Sequence, residues 1–281
     1  MRLLLCLLFA ISLCQAEKIS MATWNIRSIT KWDSLNGHHW KDRMPHAIGL
    51  IRTYDFDLLG LQEVSERQLE GLKKNLDEYS FLSAGRDDGV LRGEALGILY
   101  KSDKLELLES GYFWLSETPR LPSIGWDADC KRICIWAEFL EKGSNAKFRV
   151  FLVHLDHKGA LAQVNGIQQI IDSVSSSSGL AFVLGDFNVL KHSPLYEKMI
   201  VSGFADAGEL AKNKYAPNGT YNRYTFKREI KDVCDMIFVS KTIPIEYYGV
   251  LNNFFWQDDT PKHISDHYPV LIRFELADIK Y

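Results

Sequence analysis

The sequence predicts an α/β domain built on two mixed β-sheets, and three observations lead there. Strand-like segments outnumber helical ones. They occur both in hairpins and in runs separated by helices, a mixture that a parallel doubly wound sheet does not contain. Neither an internal repeat nor a linker divides the chain, so a single unit accounts for it.

Taken in order, residues 19–26 alternate apolar and small polar side chains and read as a first strand, with Asn25 near its end. A polar loop is expected over Thr30 to His39. Trp40 to Tyr54 has the apolar spacing of a helix (Met44, Ile48, Ile51), with Pro45 in its first turns. Residues 57–63 form a second buried strand ending in Glu63, and a charged amphipathic helix follows over Ser65 to Asp77 with Leu69, Leu72 and Leu76 inward. Ser80 to Gly85 is a short strand, residues 86–89 a turn, and residues 94–100 a strand opened by Glu94. Leu105 to Leu115 leads into a loop rich in Pro and aromatic residues that ends at Trp126. Residues 132–139 and 148–155 read as paired strands across the turn at 143–145, with His154 closing the second. Gly159 to Val174 is a long amphipathic helix.

Leu180 to Leu184 is an unbroken apolar run of strand length, the pattern of a strand buried on both faces. Gly185 ends it, and Asp186 and Asn188 follow with Phe187 between them. Polar side chains at i and i+2 point the same way into whatever crevice lies at the strand's carboxyl end. Ser193-Pro194 then starts a helix to about Val201. Residues 215–224 are aromatic and turn-rich, residues 233–239 and 245–251 read as strands, and residues 263–274 make a loop carrying Asp266-His267 and a closing strand.

Composition narrows the function. Residues 1–16 (Arg2, an apolar core from Leu3 to Leu13, then Cys14-Gln15-Ala16) have the form of a cleavable leader, too short to span a bilayer that needs ~20 residues. The mature chain, residues 17–281, is therefore expected to be secreted or periplasmic, with a lipoprotein anchored through Cys14 ranked second. No later stretch is apolar enough to cross a membrane, and a monomer is expected. Without Arg2 the mature chain carries 32 basic against 36 acidic residues, a net charge of −4. Tight nonspecific binding of duplex nucleic acid, which rests on Lys/Arg contacts to phosphate, does not fit that balance. Three cysteines remain after the leader, an odd number and no disulfide framework. Cys134 and Cys234 lie in apolar runs and read as buried small hydrophobes, while a Cys130–Cys134 pairing stays open.

Asn25, Glu63, His154, Asp186, Asn188, Asp235, Asp266 and His267 all lie in or just after strongly apolar strand-like segments. Any one is explained by a capped turn or a satisfied core histidine. All eight together strain that account, because buried ionised groups are costly unless paired or bound to metal. Were the strand ends to converge, four carboxylates would repel one another in one crevice. A divalent cation resolves the repulsion, and oxygen donors point to Mg²⁺, with Mn²⁺ also suitable, rather than zinc.

Five pieces in order, Trp24-Asn25, Leu61-Gln62-Glu63, Gly185-Asp186-Phe187-Asn188, residues 235–238 and Ser265-Asp266-His267, make the sequence resemble the magnesium-dependent endonuclease/exonuclease/phosphatase superfamily over essentially the whole mature chain. The resemblance implies a deoxyribonuclease I-like four-layer sandwich of two mixed β-sheets flanked by helices. It implies that Glu63, helped by Asn25 and Asp266, holds Mg²⁺, and that Asp186 and Asn188 orient the attacking water and the phosphate. By the same carry-over His267, steadied by Asp235, is general base or phosphate contact. His154 and Glu94 match a pair of the deoxyribonuclease branch that protonates the leaving oxygen. Arg132 matches a phosphate-contacting arginine, and His157 is a further candidate phosphate contact.

The substrate expected first is nucleic acid, cleaved by an exported Mg²⁺-dependent phosphodiesterase of the DNA endonuclease type. A phosphatase or phospholipase C-type hydrolase of sugar, inositol or sphingolipid phosphates is the alternative within enzymes, since one fold serves many phosphate esters. A catalytically silent binding protein is the alternative of another class, disfavoured because no metal or histidine position of the motif is substituted. Two aromatic clusters bear on the choice. Trp114 to Trp126 could stack on a substrate ring or pack as a lid, and Phe254-Phe255-Trp256 is read as a loop cluster, membrane-facing or buried.

Overall fold

The computed structural model describes residues 18–276, so the leader expected at 1–16 lies outside the described residues. The chain begins with β1 (Lys18–Asn25), α1 (Lys31–Leu35), α2 (Trp40–Tyr54), β2 (Leu58–Val64) and α3 (Glu66–Asn75). Next come β3 (Ser80–Gly85), β4 (Ala95–Tyr100), β5 (Leu105–Trp114), β6 (Ile133–Glu141) and β7 (Lys147–His154). Then follow α4 (Ala160–Ser175), β8 (Leu180–Asp186), α5 (Pro194–Val201), β9 (Ala205–Asp206), α6 (Ala207–Leu210) and β10 (Asn213–Tyr215). The last elements are β11 (Asp235–Val239), β12 (Ile245–Val250), β13 (Phe254–Gln257), β14 (Thr260–His263) and β15 (Val270–Glu275).

Two mixed sheets result. Seven strands run in the order β10-β12-β15-β1-β2-β4-β3 and six in the order β5-β6-β7-β8-β11-β9, while β13 and β14 form a separate hairpin. Pairs β1–β2 and β7–β8 are parallel, whereas β8–β11 and β1–β15 are antiparallel. The period of two along each strand sorts the core. Ile19 and Met21 of β1 meet Leu152, Phe182 and Leu184 between the sheets. Ala22 and Trp24 of β1 pack under α2 and α3 instead, and Ala181 and Val183 of β8 pack under α4 and α5. That is why the 180–184 run is apolar on both faces. The expected four-layer sandwich is the observed architecture.

The sheets approach closely where a side chain is missing. A Cβ on Gly60 of β2 would lie 2.5 Å from Leu152 Cδ1 and 3.2 Å from Leu184 Cδ1. Gly185 sits at φ +149°, and a Cβ there would fall 1.9 Å from the carbonyl oxygen of Val153 on the neighbouring parallel strand. No other residue fits that position without moving β7 from β8.

Three local expectations change. The polar loop at 30–39 contains the short helix α1, capped by Thr30 Oγ1, which accepts from the backbone N–H of Asp33. The aromatic run 254–256 is not a loop but strand β13, and it is neither wholly buried nor wholly exposed: Phe255 is buried while Phe254 and Trp256 face solvent, as strand alternation dictates. Trp114 is buried and donates through Nε1 to the carbonyl of Arg86, so it packs rather than stacks on a ligand. Cys130, Cys134 and Cys234 are free thiols, the last two buried as expected. No helix among the described residues is long and apolar enough to cross a membrane.

Candidate active site

Strand ends from both sheets open on one cavity of about 440 Å³. The seven-stranded sheet brings Asn25 at the end of β1 and Glu63 near the end of β2. The six-stranded sheet brings His154 (β7), Asp186 (β8) and Asp235 (β11). Asp266 and His267 arrive on the loop between β14 and β15, Asn188 follows β8, and Glu94 stands just before β4. Among the residues expected to form the site, Glu63, Glu94, Arg132, His154, His157, Asp186, Asn188, Asp266 and His267 line the cavity directly. Asn25 and Asp235 lie wholly buried behind it.

Backbone strain collects here. Arg27, Glu63 and Asn188 are non-glycine residues in the left-handed region, at φ 58°, 59° and 50°. Glu63 lies in a register shift between β2 and β4, a bulge that turns its carboxylate out of the pleat. Such conformations cost of order 1–3 kcal/mol each and persist where the surroundings over-determine them.

The carboxylates are held by donors. Asn25 Nδ2 donates to Glu63 Oε1 and to Asp186 Oδ2, both at 3.1 Å, while its Oδ1 accepts from the backbone of Arg27 at 3.0 Å. Asn25 thus turns its amide donor, not its oxygen, toward Glu63. The backbone N–H of Ser28 reaches Glu63 Oε2 at 3.1 Å. Asp186 Oδ1 accepts from the N–H of Asn188 at 2.9 Å, and Asn188 Nδ2 donates to the carbonyl of Leu155 at 2.9 Å. Burial pushes the Asp186 carboxyl up to about 6, His267 opposing and Asp235 adding to the shift.

His267 Nδ1 lies 2.8 Å from Asp235 Oδ2, and its Nε2 faces Asp186 Oδ2 at 3.8 Å. Burial works against a charge on this ring, yet Asp235 and Asp186 outweigh it and hold the imidazolium well above the ordinary histidine range. His154 is the opposite case. Burial, then Arg132 and His267, push it well below that range, so it is neutral.

The expected His154–Glu94 pair takes a different form. The ligand atoms of Glu63, Glu94 and His154 lie within 4.8 Å of one another. Among the described residues no hydrogen bond joins His154 to Glu94: Glu94 takes Arg86 Nη1 at 2.6 Å and Ser28 Oγ at 3.2 Å, and His154 Nε2 faces Asp186 Oδ2 at 3.6 Å. Burial and then the proximity of Glu63 raise the Glu94 carboxyl. Two partly buried carboxylates and a neutral imidazole gathered in this way fit a divalent cation, and oxygen-dominated donors fit Mg²⁺ or Mn²⁺. Asp266, raised by burial and by Glu63, has Arg27 Nη1 at 3.6 Å. Cys234, Asp235 and His267 also gather within 4.8 Å, but there the carboxylate and the imidazole are hydrogen-bonded to each other.

Arg132 is buried between Asp156 Oδ2, 3.3 Å from its Nε, and His157 Nδ1, 3.0 Å from its Nη2. Nη1 has no protein partner among the described residues and is available to an oxyanion. Asp156 also accepts from the backbone N–H groups of Asp129, Lys158 and Gly159, and despite its burial these bonds, with Arg132, hold its carboxyl down at about 2.

Sequence reasoning missed Arg27, Ser28, Arg86, Asp129, Asp156, Tyr221 and Arg43. Asp156 had a signal, two residues beyond His154. Arg43 had none, being one more basic residue of a helix. It is 1% exposed, and it donates to four backbone carbonyls: His38 (3.0 Å), Ile26 (2.8 Å), Ile264 (2.9 Å) and Arg27 (2.9 Å). One guanidinium therefore ties α2 to the two loops that carry Arg27 and Asp266-His267.

The profile of the Endonuclease/Exonuclease/phosphatase family matches residues 22–267. A solved structure of an endonuclease/exonuclease/phosphatase family protein from Bacteroides thetaiotaomicron superposes with a TM-score of 0.89 at 34% identity, covering 93% of this chain and 100% of that one. A mannosyl-6-phosphatase from the same species superposes with a TM-score of 0.87 at 34% identity, covering 90% of this chain and 98% of that one. Among curated proteins, the uncharacterized protein L388 of Acanthamoeba polyphaga mimivirus is 29% identical over 258 residues, covering 85% of this chain and 93% of that protein.

Proposed function

The chain belongs to the endonuclease/exonuclease/phosphatase family, and from that premise we propose that it is a divalent-metal-dependent phosphomonoesterase of small sugar phosphates. Phosphoester hydrolysis is the chemistry common to the family's nucleases and phosphatases. The observation that carries the finer reading is the pocket. It is a half-open cavity of about 440 Å³ in which Arg27, Arg86 and Arg132 stand among acidic side chains. That suits a compact phosphate dianion, and the 34% identity to a mannosyl-6-phosphatase along nearly all of that chain supports the same substrate class.

Glu63, with Glu94 and His154, would hold the cation, which when bound draws charge from the phosphate oxygens. Asn25 fixes the Glu63 and Asp186 carboxylates relative to each other. Asp186, whose carboxyl burial raises to about 6, accepts the proton of the attacking water, because a base is most effective when its pKa lies near the working pH. His267, kept charged by Asp235, donates from Nε2 to a phosphate oxygen, and Arg132 Nη1 neutralises a second. The departing alkoxide takes its proton from water in the cavity, and Asp186 returns its own to solvent.

A nuclease is the second reading, favoured by His154 and Glu94 standing together as in the deoxyribonuclease branch of the resemblance. The test is hydrolysis by residues 17–281, in Mg²⁺ and in EDTA, of mannose 6-phosphate, p-nitrophenyl phosphate, bis-p-nitrophenyl phosphate and plasmid DNA. Metal-dependent release of phosphate from the two monoesters, lost in His267→Ala, is the expected result. Cleavage of DNA with silence on monoesters would replace it with the nuclease. We also propose export, on the leader pattern of residues 1–16, to be checked by N-terminal sequencing of the protein recovered outside the cytoplasm.

A further inference from the structure

We propose that Tyr221 is the specificity-determining residue of this pocket, a fixed partition that limits the size of the leaving group. The inference rests on the phosphomonoesterase reading and deepens it. Tyr221 lines the active-site cavity, and it also lines a second cavity of about 200 Å³ whose walls include Arg223, Arg228, Lys231 and Asp232. Tyr221 therefore stands between the reacting centre and a separate recess in which three basic side chains meet two acidic ones.

The partition is not free to swing aside. Its backbone forms an isolated antiparallel bridge with His267. Its ring lies 4.6 Å from the His267 ring at an interplanar angle of 30°, and the Arg223 guanidinium lies 4.6 Å from the same ring centroid. Arg223 is anchored in turn by Asp232 at 2.8 Å. The segment that follows is strained: Arg223 and Tyr224 are successive non-glycine residues at φ 54°. Asn222 keeps them there, donating through its backbone to Asp266 O (2.8 Å) and through Nδ2 to Ser265 O (3.0 Å), and accepting at Oδ1 from the N–H of Tyr224 (2.8 Å). Strain retained by so many bonds beside a reacting centre marks a conformation with a use. Here that use is to hold an aromatic wall at a set distance from His267.

Removing the ring joins the two cavities and opens Arg228, which makes no ion pair among the described residues, to whatever the pocket holds. A leaving group that is bulkier, or that carries a second phosphate, then gains space and a cationic partner, while a small monoester gains nothing.

The experiment compares kcat/KM for mannose 6-phosphate and for fructose 1,6-bisphosphate in the wild type, Tyr221→Phe, Tyr221→Ala and Arg223→Gln. Thermal midpoints establish that each variant is folded. Tyr221→Phe should keep the wild-type ratio. Tyr221→Ala should shift the ratio toward the bisphosphate by about 10-fold, the scale on which pocket shape discriminates, whatever happens to the absolute rates. Arg223→Gln, which loosens the ring without deleting it, should shift the ratio the same way by less, and it stands in should Tyr221→Ala fail to fold. An equal loss on both substrates in every folded variant would make Tyr221 a support for His267 only and overturn the proposal. Absence of monoester hydrolysis in the wild type would instead overturn the reading on which it rests.

Discussion

His267 and Asp235 face each other across 2.8 Å at the buried back of the cavity, and the other oxygen of Asp235, Oδ1, is buried without a hydrogen-bond partner among the described residues. Asp235 Oδ2 also takes the Cys234 thiol at 3.6 Å, and the imidazole is its shorter partner. Asp235→Asn should lower kcat by about 10²–10⁴-fold, the range seen when the partner of a catalytic histidine is lost. The same pair sets a pH dependence of stability. Because the folded-state pKa of His267 is raised, its contribution is complete below the ordinary histidine value and fades as pH rises through the raised one. The difference in thermal midpoint between wild type and Asp235→Asn should be largest in mildly acidic solution and shrink in alkaline solution. A constant difference across that range would sink this account.

Asp186 carries the opposite lesson for stability. Its carboxyl is raised from 3.8 to about 6, so the folded protein holds a proton there that the unfolded chain releases. Between about pH 4 and pH 6 the metal-free fold loses what that proton supplies. Asp186→Asn should therefore abolish hydrolysis yet raise the midpoint of the metal-free protein at pH 7 by about 2–4 °C, roughly the shift that 1 kcal/mol produces in a chain of this size. At pH 4 the gain should vanish.

Divalent cations should reverse that penalty in the wild type. At a hundredfold excess over its dissociation constant, Mg²⁺ should add about 2.7 kcal/mol to the folded state. Glu63→Gln, which removes one carboxylate of the Glu63, Glu94 and His154 grouping, should erase the shift and the activity together. Differential scanning calorimetry with and without EDTA reads the shift, and phosphate release reads the activity.

Arg43 offers a test remote from substrate. Arg43→Met leaves four backbone carbonyls without their donor, each worth about 1–3 kcal/mol when buried and unpaired, with water recovering part of the loss. The urea midpoint should fall markedly. Where the variant stays folded, activity should fall more than stability explains, because the loops bearing Arg27 and Asp266-His267 lose their common anchor.

Much of this was legible in the sequence. Asn25, Glu63, His154 and Asp186 each close a buried apolar strand, and a polar group left at such an end has few other reasons to be there. The helices at 40–54 and 194–201 were readable for local reasons, an apolar period in one and a Ser-Pro start in the other. Pairings between distant segments were not. Arg43 meets Ile264 across 221 positions, and Tyr221 meets His267 through a single bridge. Neither contact leaves a local pattern, since both depend on where the sheets set their edges. Alternation along 254–256 was overlooked because three aromatic residues in a row conceal a period of two.

The absence of a side chain at Gly60 has a consequence beyond packing. It lets two sheets close on each other so that one contributes Asn25 and Glu63 and the other His154, Asp186 and Asp235. Neither sheet owns the chemistry, which exists only at the joint. A fragment ending before residue 147 would carry Asn25 and Glu63 without His154, Asp186 or Asp235, and its complement would carry the reverse. The chain is therefore heritable as a catalyst only whole, and a substitution deep between the sheets is read out at the joint as surely as one made within it.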